Sequence, residues 1–222
     1  MPGAQGCEGP ARFGPDDNKV CAMRLVATAL LSTLALTTAL PTQAQDAGDW
    51  IWRVGVHNVR PKSDNHALVN VDAAASLTFN ATYMFAPNWG VEVLAALPFE
   101  HDINLNGGDK VAQTKHLPPT VSLQYHFNPN GAWRPYVGAG LNYTLFFDEK
   151  TRGALAGTKL ELDPSMGLAA QAGLDIKLGS DWFANVDARW MDIETDAKVN
   201  GARIGNVVID PLAFGLSIGR RF

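Results

Sequence analysis

From about residue 50 to the last residue, apolar side chains recur at every second position in run after run, and this period constrains the fold more than any other feature. A period of two belongs to a β-strand with one face against apolar surroundings, whereas a helix repeats every three or four residues. Trp50, Trp52, Val54 and Val56 alternate with Ile51, Arg53, Gly55 and His57. Leu77, Phe79, Ala81, Tyr83 and Phe85 alternate with Thr78, Asn80, Thr82 and Met84. In the third run Trp89, Val91, Val93, Ala95, Leu97 and Phe99 oppose Glu92, Leu94, Ala96 and Pro98. The fourth sets Leu117, Val121, Leu123, Tyr125 and Phe127 against His116, Thr120, Ser122, Gln124 and His126. Runs over 136–145, 168–178, 182–191 and 212–222 complete a set of eight. Each is close to the ten or so residues that a tilted strand needs to cross a bilayer.

The connections alternate between two kinds. Ala86-Pro-Asn88, Asn128 to Ala132 and Gly179-Ser-Asp181 are tight turns with Gly, Pro and Asn chemistry. Long polar connections at about 60–75, 100–115, 148–165 and 194–209 lie between them. Aromatics gather at the short-turn end: Trp50, Phe85, Trp89, Phe127, Trp133, Trp182 and Phe222. Such a belt at one height is expected where a barrel meets the membrane–water interface. A soluble sandwich also alternates, but gives no reason to tie its aromatics to one class of turn. The expected fold is therefore all-β: an eight-stranded antiparallel up-and-down transmembrane barrel with short periplasmic turns and long extracellular loops. The expected location is the outer membrane of a Gram-negative bacterium. Phe222, in line with Phe214, Leu216 and Ile218, resembles the C-terminal pattern read by barrel-assembly machinery, although Arg220 interrupts it.

Mean hydropathy near zero agrees, because lipid-facing and lumen-facing residues cancel in a barrel. A net charge of −4 and the absence of a Lys/Arg cluster argue against a nucleic-acid partner. Arg24, the apolar run from Leu25 to Leu40 and Thr42-Gln-Ala44 read as a secretory signal, so residues 1–44 are assigned to it and 45–222 to the barrel. The polar segment 1–22 is unlike a signal's first region, which suggests Met23 as the true start. Both cysteines, Cys7 and Cys21, precede Met23, so the barrel region has no disulfide or Cys chemistry.

Within the lumen set, Arg53, Glu92, Asp175, Lys177, Asp187 and Arg189 are expected to pair across the interior as a charge plug, since buried charges need partners. Met84, Leu94 and Met191 depart from the polar set; they either fill a tight interior or line an apolar pocket. Pro98 and Pro118-Pro119 fall in the outer halves of neighbouring strands. Proline cannot donate to a ladder, so these three either end the strands or open a seam in the wall for lateral exit. His57, His101, His116 and His126 lack metal-site spacing, and no metal or cofactor is expected. Ser122 shares a face with His116 and His126, yet no acid orients either histidine, so catalysis is not expected.

Taken in order, Trp52-Arg-Val-Gly55, Val59-Arg-Pro61, Thr82-Tyr-Met84 and Asn88-Trp-Gly-Val-Glu92 carry a resemblance, continued by Leu97-Pro-Phe-Glu-His101 and His116-Leu-Pro-Pro-Thr120. Arg134-Pro-Tyr-Val-Gly-Ala-Gly140, Asn142-Tyr-Thr144, Phe146-Phe-Asp148 and Met191-Asp-Ile193 extend it. The chain resembles the OmpW family of small outer-membrane porin-like proteins, with AlkL-type hydrocarbon importers among them. The resemblance implies a monomeric barrel with a narrow lumen and a hydrophobic pocket that passes small apolar compounds sideways into the membrane. It also implies that Leu94 belongs to a hydrophobic constriction, whose partner position is Arg189 here where some relatives have an aromatic residue. The expected function is passive transport of small hydrophobic molecules, with membrane lipid and apolar solutes as partners. The alternative is a non-transporting barrel that acts through its outer loops as a surface receptor or a structural, stress-response protein.

Overall fold

In the computed structural model, residues 46–62, 69–105 and 108–222 are described. The signal segment, Met23 and both cysteines lie outside them, as do parts of two outer connections. Among the described residues no helix is long and apolar enough to cross a membrane. The alternating runs instead form β1 (Trp50–Arg60), then β2 (Val69–Val71), β3 (Ala74–Ala86) and β4 (Trp89–Ala96). They continue as β5 (Phe99–Leu105), β6 (Lys110–Leu117), β7 (Thr120–His126) and β8 (Trp133–Thr151). The last six are β9 (Leu160–Leu162), β10 (Ser165–Lys177), β11 (Trp182–Met191), β12 (Glu194–Val199), β13 (Ala202–Val208) and β14 (Leu212–Arg221).

Eight of these close a ring in the order β10, β11, β14, β1, β3, β4, β7, β8 and back to β10, every pairing antiparallel. Closure leaves no strand edge in lipid, where an unpaired backbone group has no water to bond. Burial follows the period of two. Trp52, Val93 and Leu141 on the outer face are half exposed, while Arg53, Glu92 and Asn142 on the inner face are buried. A small barrel needs some inner positions without side chains. A Cβ on Gly140 would run into the Val121 carbonyl, and one on Gly215 into the His57 ring.

The aromatic residues expected at the short-turn end are all there, and all are exposed. Trp50 and Phe222 exchange backbone hydrogen bonds, and Trp50 packs on Tyr83 and Trp89 on Tyr125. The Arg220 guanidinium lies across the Trp182 and Phe222 rings, 5.6 and 4.7 Å from their centroids. A cation held over aromatic rings at a membrane interface keeps its charge in water, which accounts for an arginine inside an otherwise apolar face.

Two features differ from the sequence reading. The long connections are built largely of β-structure. β5 and β6 form a hairpin, β12 and β13 form another, β8 runs on to Thr151, and β9 pairs with β12. β2, β5 and β6 extend the barrel sheet outward alongside β8, so the wall continues as a second tier beyond the apolar belt. These segments read as polar because their outer face is charged, with Lys115 and Asp148 paired at 2.8 Å and Lys110 paired with Asp102. The second difference is Phe99. It was assigned to the outer face, but it is buried, because the chain slips by one residue at Leu97-Pro98 and turns Phe99, His101 and Ile103 inward.

Candidate functional site: a plugged lumen beneath an apolar cavity

The inner side chains stack in layers along the barrel. Nearest the short turns, Ile51, Met84 and Phe183 form a small apolar cluster. Above it lies a layer of charge. The Arg53 guanidinium donates to both oxygens of Asp175, at 3.1 and 2.7 Å. Glu92 is wholly buried and accepts from Asn80 and Gln124 at one oxygen, Gln171 at the other, and Arg189 at both. The Arg189 Nε donates to Asp187 at 2.6 Å, and His57 Nε2 donates to the same oxygen at 3.0 Å. A carboxylate only accepts, so Nε2 carries a proton, and Nδ1 lies 2.7 Å from the Thr78 hydroxyl.

These bonds cross the lumen rather than run along its wall. β4 and β11 lie on opposite sides of the ring, and Glu92 and Arg189 meet in the middle. Pairing lets such charges tolerate burial, and together they fill the cross-section. Five of the six charges expected to form a plug belong to the network. Lys177 is half-buried at the end of β10, where its backbone N–H donates to Ala132, and it takes no part in the bonds around Glu92. The reason is position: it lies two residues nearer the short turns than Asp175.

A second apolar layer follows, in which Val59, Phe99, Met191, Ile193 and Ala213 pack together. Above it, inside the outer tier, is an apolar cavity of about 310 Å³. Ile103, Val111, Leu155, Leu160, Val207 and Ile209 contribute to its wall. That volume is at the lower end of the range of small-molecule sites. The residues expected to line a lumen pocket do not line this cavity. Met84 is at the opposite end, Leu94 is buried in the wall beside the plug, and Arg189 is a member of the plug. Arg189 and Met191 border a recess of about 10 Å³ with Thr120, Ser122 and Gln171, no larger than one water. The apolar space thus sits one tier further out, and the missed signal was Ile103, Leu105 and Val111 alternating within a stretch dominated by charge.

The three prolines meet at the base of this tier. The β4–β7 ladder stops at Leu94 opposite Thr120, and pairing resumes at Phe99 opposite His116. Residues 95–98 on one side and 117–119 on the other form no ladder pairs with each other. Each side leans on its other neighbour instead. Leu97 N–H donates to Leu77, Tyr143 N–H donates to the Pro119 carbonyl, and the buried Asn142 amide donates to the Pro118 carbonyl at 3.2 Å. The break lies where the outer surface changes from Val93 and Leu97 to Glu100 and Asp102, the upper rim of the apolar belt. Just beyond it, hydrogen bonds from Lys115 and Lys150 hold the Asp148 carboxyl below the usual carboxylate range.

The histidines and Ser122 do not converge. His116 stacks on His101 and Phe99 in the outer tier, while His126 bonds Gln124 and stacks on Tyr136 deep in the barrel.

A closed ring of eight strands, an apolar outer belt and an aromatic rim define an outer-membrane β-barrel whose lumen is filled with side chains. The chain belongs to the OmpW family, whose profile matches residues 46–222. It is 39% identical to outer membrane protein W of Vibrio cholerae, over 86% of this chain and 97% of that protein. The crystal structure of the outer membrane protein OprG from Pseudomonas aeruginosa is similar, with a TM-score of 0.73, 36% identity and coverage of 82% of this chain and 99% of that one. The solid-state NMR structure of outer membrane protein AlkL in lipid bilayers matches with a TM-score of 0.62 and 25% identity, over 84% and 95% of the two chains.

Proposed function

We propose that this barrel carries small hydrophobic molecules from the cell surface into the outer membrane. The solute enters the cavity of the outer tier and leaves sideways through the break flanked by Pro98 and Pro118-Pro119. The observation that carries this reading is the order of the layers. An apolar cavity of about 310 Å³ stands above a lumen crossed by the Arg53, Glu92, Asp187 and Arg189 network, with the Phe99 and Met191 layer and the interruption in the wall between them. A solute that reaches the cavity has an apolar layer and then charge below it, and unpaired strands at the level of that layer.

Transfer out of water supplies the driving force, roughly 0.8 kcal/mol for each CH₂ buried. Leaving into lipid tails keeps that gain, whereas passing the charge layer would forfeit it. Release requires the Phe99 and Met191 layer to yield, since both side chains are buried.

The test is uptake of an apolar fluorophore by vesicles with a lipopolysaccharide outer leaflet and this protein alone. Uptake faster than in protein-free vesicles supports the reading, and equal rates refute it. A second reading, a surface receptor, draws on the charged outer face of the tier, where Lys198 pairs with Asp163 and Arg203 with Asp196. Replacing the exposed Asn200–Arg203 hairpin tip by Gly-Ser separates the two: transport persists and receptor binding is lost.

A further inference from the structure

The cavity wall is apolar except for a few side chains, and two of these have spare hydrogen-bonding capacity. Thr195 donates its hydroxyl to the Asp163 carbonyl, and Thr114 donates to the Lys115 carbonyl. His101 and His116 differ. Both line the cavity, both are only 3–4% exposed, and the Nε2 of each is buried without a hydrogen-bond partner. Their rings lie stacked, with centroids 4.8 Å apart, and Phe99 stacks on the far side of His116 at 5.3 Å. An unpartnered buried polar atom is costly to keep, and native interiors rarely hold two together without a use for them.

The protonation state of His101 follows from its other nitrogen. Nδ1 lies 2.5 Å from the Asp72 carbonyl oxygen, which can only accept, so Nδ1 carries the proton. Burial lowers the His101 ring from the usual histidine range, which favours its neutral form. Its Nε2 is therefore a bare lone pair, an acceptor at the wall of an apolar chamber. A hydrocarbon cannot use it. A hydroxyl can.

We infer that the His101–His116 pair is a polar anchor that selects apolar molecules ending in a hydroxyl group, whose O–H donates to His101 Nε2 while the chain occupies the cavity. The inference rests on the transport reading and names the class of solute it favours. A hydroxyl is also an acceptor, so it serves both nitrogens when His116 carries its proton on Nε2. The two nitrogens are covered by neighbouring side chains, so the ligand reaches them by turning the stacked rings apart.

The experiment uses the whole barrel in lipid nanodiscs, with ¹⁵N-labelled histidine and methyl-labelled isoleucine and valine. It is titrated with 1-octanol and, separately, with octyl methyl ether, which has the same chain but no donor. The expected result is that both probes shift the Ile103 and Val207 methyl signals. Octanol binds about two- to tenfold more tightly, the ratio one net hydrogen bond supplies. Only octanol moves the His101 Nε2 resonance. His101→Phe keeps the stacked ring and abolishes the preference, read as the ratio of octanol to ether affinity within that variant. If octanol and ether bind equally, or Nε2 proves to carry the proton, the anchor is wrong and the transport reading survives. If neither probe shifts the cavity methyls, the transport reading fails with it. Should His101→Phe not fold, the nitrogen resonance of the unaltered protein still decides.

Discussion

Arg189 on β11 reaches across the barrel to Glu92 on β4, 97 positions away in the chain, bonding its two oxygens at 2.7 and 3.3 Å. Arg189 also holds Asp187, so it ties Glu92 to the His57–Asp187 pair. Arg189→Met takes the closest cation from both buried carboxylates, leaving Glu92 with Arg53 at 3.6 Å and Asp187 with His57. Breaking a buried pair in this way costs about 3–5 kcal/mol, seen as a lower urea midpoint for the folded form. The double variant Arg189→Met with Glu92→Gln is expected to recover part of that loss, because a neutral amide leaves less uncompensated charge.

The same network predicts the electrical behaviour. With Arg53, Glu92, Asp175, Asp187 and Arg189 joined across the lumen, a planar bilayer carrying this protein should show no large, steady open-channel current. Stable porin-sized conductance would contradict a filled interior.

The eight-stranded wall was legible because lipid on one side and a narrow interior on the other impose period two along each strand, as Trp52, Val54 and Val56 against Arg53 and His57 show. The charge plug was legible for the same reason: charges on the inner face of a small barrel have only one another for partners. The outer tier was not legible. Its hairpins face water outside and a cavity inside, so Glu100, Asp102, Lys110 and Lys115 dominate the local composition and mask the inward Ile103 and Val111. Phe99 was misassigned because alternation was carried through Pro98, where four residues face three and the register moves by one. Sequence spacing also placed Met84 and Leu94 together on the inner face without revealing that Met84 lies at the short-turn end, against Ile51 and Phe183.

Close packing of the wall gives a steric prediction. Gly140 faces the β7 backbone so closely that a Cβ would strike the Val121 carbonyl and the Ser122 Cα. Backbone cannot move aside as a flexible side chain does. Gly140→Val should therefore block barrel closure, checked by loss of the heat-modifiable folded band on a gel. Gly157, with open space around its Cβ position, is a control for insertion of a side chain, although its positive φ makes alanine the mildest choice there.

The cavity should depend on its apolar wall. Val111 is 1% exposed and lines it on β6. Val111→Asp places a carboxylate in an apolar wall, and burying an unpaired charge is strongly unfavourable. Binding of an apolar fluorophore is expected to fall at least about tenfold, the equivalent of about 1.4 kcal/mol. The conservative Val111→Ile should retain binding. Equal affinity of Val111→Asp and the unaltered protein would place the binding site elsewhere.

Exit of solute through the wall can be read from the uptake rate of a barrel with its break repaired. The variant carries Pro98→Val, Pro118→Thr and Pro119→Val, which restore backbone donors on both sides of the gap between Leu94–Thr120 and Phe99–His116. In vesicles with a lipopolysaccharide outer leaflet, apolar uptake should fall to the protein-free rate while the cavity still binds its solute. Uptake at the unaltered rate would contradict it.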